Sequence, residues 1–219
     1  MTASLASRVA VVVARPGALG DRVVAGLRGA GATVSRASPP TDRAAAEAAL
    51  ATRPDVVVWA DVDPDALTPA PVVGLDEAQW VRRCEDPLTS LLWVAQAAHA
   101  HLRGRDGRLI VICPSVALEG AAALVPLATG AEAQRLLAKS VARRWGPDAI
   151  TVNVVCVPVT ALDAALAAGA PDAARTGPSL VADDPLATAA ATVVWLAGRD
   201  AGGVTGANIG ADGGAVMAP

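Results

Sequence analysis

Asp61, Asp63 and Asp65 (D-V-D-P-D) put three carboxylates within five residues, directly after the apolar run Asp55–Ala60 (D-V-V-V-W-A). The spacing imitates the opening of a calcium loop, which needs glycine at its sixth position and glutamate at its twelfth. Ala66 and Val72 stand there instead, so the motif reads as a polar loop at the end of a strand. Such ends line the ligand crevice of open α/β sheets, where these carboxylates could still face a bound molecule. Arg15 and Arg36 close two earlier apolar runs. Each is placed either to meet an anionic group or to be solvated at a strand end. Ser115 follows a further apolar run in C-P-S; without a neighbouring base a serine is an ordinary hydroxyl rather than a nucleophile. Cys84, Cys113 and Cys156 are three widely spaced cysteines with no C-x-x-C pair, which reads as buried free thiols of a reducing compartment. His99 and His101 are two apart, on different faces of a helix, and cannot share a metal.

These groups must be positioned by a chain of 219 residues, 53% of them hydrophobic, 18% charged, with a net charge of −3. The composition excludes a disordered chain, and the charge argues against nucleic acid as partner, since phosphate contacts need a basic face. The first apolar run is too short to span a membrane and lacks the cationic start of a secretion signal. A cytoplasmic protein is expected. Valine- and isoleucine-rich runs alternate with Ala/Leu/Arg segments of helical period, the pattern of a parallel sheet covered by helices. Strands are predicted at Arg8–Ala14, Ala32–Arg36, Asp55–Ala60, Arg108–Cys113, Ile150–Val155 and Ala207–Ala211, within one domain spanning 1–219. Helices are predicted at Asp21–Gly29, Asp42–Ala51, Asp76–Leu102, Glu132–Trp145 and Pro185–Ala197, with Pro87 starting or kinking the second half of its helix. Thr160–Pro178, rich in Ala, Gly and Pro, reads as a lid or loop. Arg82-Arg83 and Arg143-Arg144 read as solvated helix faces or interface contacts. Trp93, Trp145 and Trp195 read as core or subunit contacts.

The order of elements resembles the short-chain dehydrogenases/reductases. V-V-W-L-A-G-R-D-A-G-G-V-T-G-A-N-I-G-A-D-G-G (Val193–Gly214) is similar to that family's closing helix, T-G turn and D-G-G ending, and I-T-V-N-V-V (Ile150–Val155) to its sixth strand. The resemblance implies a doubly wound, Rossmann-type α/β sheet that binds NAD or NADP. Only 18 residues separate Arg36 from Asp55, too few for the family's helix, strand and helix, so the edge strand after the second is expected to be shortened or missing. The family's glycine loop falls on Val13–Gly20, where Gly20 is kept and Gly17 is displaced by one. Each lost glycine adds a Cβ where a diphosphate should pass. Trp59, Ala60, Asp61 and Val62 replace the family's N-N-A-G turn, which puts an indole where the cofactor's ribose lies. Arg15, Gly17, Gly20 and Arg36 are the candidate cofactor contacts; the expectation is no cofactor, and NADP if one binds.

The family's chemistry uses a tyrosine, a lysine four residues later, a serine and an asparagine. The phenol must titrate near neutrality, and positive charge lowers its pKa. This chain has no tyrosine, and Lys139 is its sole lysine. Counting back from Ile150 places Leu127 at the tyrosine position, Ala131 at the lysine and Pro87 at the asparagine, leaving Ser115 as the one remnant. The resemblance also implies that the helices Pro87–Leu102 and Leu127–Trp145 pair between subunits. The leading expectation is therefore a catalytically inactive homologue. It would serve as structural or regulatory subunit of a hetero-oligomer with an active ketoreductase or hydroxyacyl dehydrogenase of the same fold. Alternatives are a non-redox enzyme (lyase, cyclase or isomerase) using Ser115, Asp61 and Asp63, and a sensor holding NADP through Arg15 and Arg36.

Overall fold

The computed structural model describes residues 5–163, 166, 179–181 and 183–217. Six strands form one sheet in which every pairing is parallel: β1 (Val9–Val13), β2 (Thr33–Ala37), β3 (Val56–Trp59), β4 (Gly107–Pro114), β5 (Ile150–Val157) and β6 (Asn208–Gly210), in the order β2-β1-β3-β4-β5-β6. Among the described residues the helices are α1 (Ala18–Gly29), α2 (Arg43–Ala49), α3 (Glu77–Trp80), α4 (Asp86–Leu102), α5 (Val116–Glu119), α6 (Val125–Trp145) and α7 (Pro185–Ala197). Only α2 stands between β2 and β3, so β2 is the sheet edge, as the short spacing requires.

The central strands are runs of β-branched residues because both faces of the sheet are covered. Val12, Val58, Ile110 and Val155 pack beneath α1 and α7. Val11, Val57, Val111 and Val154 pack on the opposite face with α2, α4 and α6. Trp59 belongs to this second face and is fully buried. Alternation along β3 turns its indole away from the β1–α1 side, which corrects the expectation that it projects into the crevice there. Cys84, Cys113 and Cys156 are free and buried. Burial pushes the Cys156 thiol up to about 11, and that of Cys113 higher still.

Pro87 is the second residue of α4, which continues without a break from a π-helical turn, Val81–Glu85, that joins it to α3. Helix α6 begins at Val125, before the predicted Glu132; Pro126 stands in its first turn, where a missing N–H costs nothing. In the lid region, Val159–Ala161 forms a 3-10 turn; most of Thr160–Pro178 lies outside the described residues. The D-G-G ending is a turn built on Asp212, whose carboxylate accepts from the Gly214 and Val216 amides at 3.0 and 3.1 Å. Among the described residues no helix is long and apolar enough to cross a membrane.

Candidate functional site

A parallel sheet leaves its carboxyl ends open, and the crevice lies where connections leave in opposite directions. Here that point is between β1 and β3, since β1 leads to β2 on one side and β3 lies on the other. A cavity of about 170 Å³ opens there, lined by Arg15 to Gly20 from the β1–α1 turn, Asp61 and Val62 after β3, and Leu162 after β5.

Arg15 and Asp61 span the switch point. The Arg15 amide donates to Asp61 Oδ1 at 2.9 Å and its Nη1 to Oδ2 at 2.6 Å, while Nη2 lies 3.0 Å from Asp63 Oδ2. Burial raises the pKa of Asp61, and Asp63 adds to this; the Arg15 amide and guanidinium oppose it without cancelling it. One guanidinium thus answers two carboxylates. Asp65 is drawn elsewhere: Arg83 Nε and Nη2 donate to it at 3.1 and 3.3 Å. That bond, chiefly, holds the Asp65 carboxyl below its ordinary value. Arg83 is itself buried, which corrects its reading as part of a solvated face; the π turn points it inward. Among the described residues no group of acidic, histidine or cysteine side chains is arranged to hold a metal.

Arg36 folds back over the β1–α1 turn. Its Nε donates to the Ala14 carbonyl at 3.2 Å, Nη2 to the Arg15 carbonyl, and Nη1 pairs with Asp21. It sits on Gly20, where a Cβ would come within 2.7 Å of Arg36 Nη2 and 2.9 Å of Ala14 Cβ. Gly17 has φ +155° and nothing within 4 Å of where a Cβ would stand. One glycine is kept by a close contact, the other by its backbone angle.

Leu127 and Ala131 from α6, Pro87 from α4 and Pro114 from β4 meet around a single cavity of about 20 Å³, with Asp61 and Arg83 in the same wall. Ser115 follows Pro114 and is buried; its amide donates to the Val157 carbonyl at 2.7 Å. Lys139 is exposed. His99 is committed away from this edge, its Nε2 being 2.9 Å from Asp148 Oδ2 beside the start of β5. Sequence reasoning missed the Arg15–Asp61 pair and the burial of Arg83. The first depends on strand order, which brings together residues 46 positions apart; the second depends on the π turn, which faces Arg83 toward Asp65, 18 positions before it.

Residues 56–216 match the family model described as enoyl-(acyl carrier protein) reductase. This chain belongs to the short-chain dehydrogenase/reductase family. Solved structures share the fold over nearly the whole chain. A gluconate 5-dehydrogenase from Burkholderia cenocepacia J2315, in complex with NADP and tartrate, is 21% identical with a TM-score of 0.85, covering 99% of this chain and 98% of that one. A dehydrogenase/reductase from Sinorhizobium meliloti 1021 is 22% identical (TM-score 0.82; 99% and 98% covered). A short-chain dehydrogenase/reductase from Serratia marcescens BCRC 10948 is 23% identical (TM-score 0.79; 97% and 99% covered). No curated protein matches the sequence.

Proposed function

We propose that this short-chain dehydrogenase/reductase carries out no hydride transfer by itself and serves as the non-catalytic subunit of a cytoplasmic hetero-oligomer, beside an active ketoreductase or hydroxyacyl dehydrogenase of the same fold. The observation that carries this reading is the cavity of about 20 Å³ around Leu127, Ala131 and Pro87. Those are the positions at which the family resemblance puts the tyrosine, lysine and asparagine. None of the three side chains can give or take a proton, and the space is too small for a substrate beside them.

The residues present do not fit the diphosphate of NADP. Asp61 and Asp63 put two carboxylates at the switch point with Arg15 already between them. A phosphate arriving there meets like charge rather than a free cation. Arg36, the candidate for a 2′-phosphate, has its donors committed to Ala14, Arg15 and Asp21. Exposed apolar side chains on both faces of the sheet support the other half of the reading. Leu92 on α4, Leu136 on α6 and Trp195 on α7 are 39%, 56% and 40% exposed, and large apolar side chains left in water favour a partner that covers them.

Native mass spectrometry of the protein purified gently from its host tests this. The expected result is a stoichiometric complex with a second, tyrosine-containing chain of similar size, and a flat calorimetric trace when the isolated chain is titrated with NADPH. A clean homo-oligomer, or NADPH consumption with a ketone by the isolated chain, would overturn it. Asp61 favours one competing reading, since a buried carboxyl with a raised pKa bordering a crevice suits acid–base chemistry without a redox cofactor. Turnover of a candidate substrate that Asp61→Asn abolishes would establish that alternative.

A further inference from the structure

A further cavity, of about 450 Å³, opens at the opposite end of the sheet, where β1, β3 and β4 begin. The residues just before these strands meet there because the three are neighbours and run the same way. Arg8 precedes β1, Asp55 precedes β3, and Arg105 and Asp106 precede β4. Arg199, in the turn after α7, completes the wall. That turn is held from both sides. Arg108 Nη2 donates to the Gly198 carbonyl at 3.3 Å, the Gly202 amide donates to the Arg199 carbonyl at 2.9 Å, and Ala201 is fully buried in the core.

Charge is unbalanced here. Asp106 accepts from two arginines, Arg8 Nη2 at 2.7 Å and Arg108 Nη1 at 2.7 Å. Asp55 accepts from the Val9 amide at 2.9 Å and from Arg105 Nη2 at 2.8 Å. Arg199 is exposed and has no hydrogen bond or ion pair among the described residues. Arg8, Arg105, Arg108 and Arg199 thus set four positive charges against the two negative charges of Asp55 and Asp106, an excess of two. Asp200, the next carboxylate along the chain, lines the groove between α1 and α7 instead. This is the reverse of the crevice, where one guanidinium answers two carboxylates. Arg108 is only 1% exposed, so water screens its charge poorly.

We propose that this cavity binds a small tetrahedral dianion, as free phosphate or as the phosphate of a small ester. Two negative charges complete the balance that Asp55 and Asp106 leave open, and Arg199 brings a guanidinium that no carboxylate occupies. Guanidinium and phosphate form charge-assisted bonds of matched geometry. The volume lies within the range of small-molecule sites, and the open, solvent-screened position holds the affinity at about the millimolar level. The site stands at the far end of the sheet from the switch point, so it does not stand or fall with the non-catalytic reading. Binding at about the millimolar level also adds no heat at the micromolar dinucleotide concentrations that test the crevice.

The test is a titration of the isolated, ¹⁵N-labelled chain with sodium phosphate at about pH 8, where phosphate is a dianion, with sodium chloride holding the ionic strength constant. The amide signals of Ser7, Asp106 and Arg199 are followed. Sulfate keeps the shape and both charges, formate carries one charge, and glycerol phosphate offers the group as an ester. Phosphate and sulfate are expected to shift these signals saturably with Kd of about 1–10 mM, and formate to bind about tenfold more weakly or worse. Arg199→Ala is expected to weaken phosphate by about tenfold with Tm unchanged. Arg82→Ala removes an exposed arginine at the other end of the sheet and is expected to leave phosphate binding as it was. Glycerol phosphate separates the two sources: binding tighter than phosphate assigns the group to an ester, weaker binding assigns it to the free ion, and both require the dianion site. No saturable shift by about 50 mM phosphate, formate binding as tightly as phosphate, a shift indifferent to Arg199→Ala, or equal losses from Arg199→Ala and Arg82→Ala would each overturn the proposal.

Discussion

Gly20 separates two requirements that a side chain would set against each other, the helical start of α1 and the guanidinium of Arg36 lying across it. In most helices Gly→Ala stabilises by roughly 0.5–1 kcal/mol. At Gly20 the added Cβ meets Ala14 Cβ at 2.9 Å and displaces Arg36 from the Ala14 and Arg15 carbonyls. Gly20→Ala is therefore expected to destabilise by about 1–3 kcal/mol. Gly29→Ala, in the same helix with nothing within 4 Å, should show the ordinary gain; urea unfolding of both variants checks the contrast. Titration at this scale also has a direction. Burial raises the Asp106 carboxyl, but hydrogen bonds and charge from Arg108 and Arg8 outweigh it and leave its pKa below 3.8. Its stabilising contribution is complete above the unfolded value near 3.8 and is lost as pH falls through the lower folded value. Asp106→Asn should flatten the loss of stability on acidification below about pH 4, read from denaturant midpoints across that range. Asp61, raised by burial, works in the opposite sense, relieving the fold of a buried charge as it protonates.

Among the elements, the π turn Val81–Glu85 does the most to shape the candidate site. It brings Arg83 inward to Asp65 and sets the backbone of Cys84 against α6, where a Cβ on Gly130 would lie 3.0 Å from the Cys84 carbonyl oxygen and 3.3 Å from its Cα. These are backbone atoms, with no rotamer to yield. Gly130→Val is expected to cost about 1–3 kcal/mol and to push the turn off α6, measurable as a lowered Tm and as faster amide exchange over residues 81–85. The sequence announced the long helix and the role of Pro87 through period and proline placement. It did not announce the π turn, because one extra residue in a helical turn alters no local propensity and is held by what the turn packs against. Arg83 was unreadable for the same reason. An R-R pair on a helix has a solvated face by default, and only the added residue of the π turn rotates one arginine inward.

At the scale of the whole molecule, the proposed assembly turns on the exposed apolar side chains of α4, α6 and α7. Leu136→Glu leaves the buried core untouched, since Leu136 is 56% exposed. It is expected to lower the assembled fraction by about tenfold or more with a change in monomer stability within about 0.5 kcal/mol. Sedimentation and thermal melts separate the two. Six parallel strands, the edge position of β2 and the absence of tyrosine were all legible beforehand. Strand identity comes from runs of β-branched residues that must be buried on both faces, the missing edge strand from a count of residues too few to build one, and the missing phenol from composition alone. What only the tertiary structure decided is which distant groups meet. Parallel strands bring the residues after β1 and β3 side by side, so Arg15 and Asp61 neutralise one another at the switch point. Alternation along β3 turns Trp59 toward α4 and not into the crevice beside α1. Local sequence sets the period and face of each element; the electrostatics of the site are set by strand order, which depends on how the elements pack across the whole sheet.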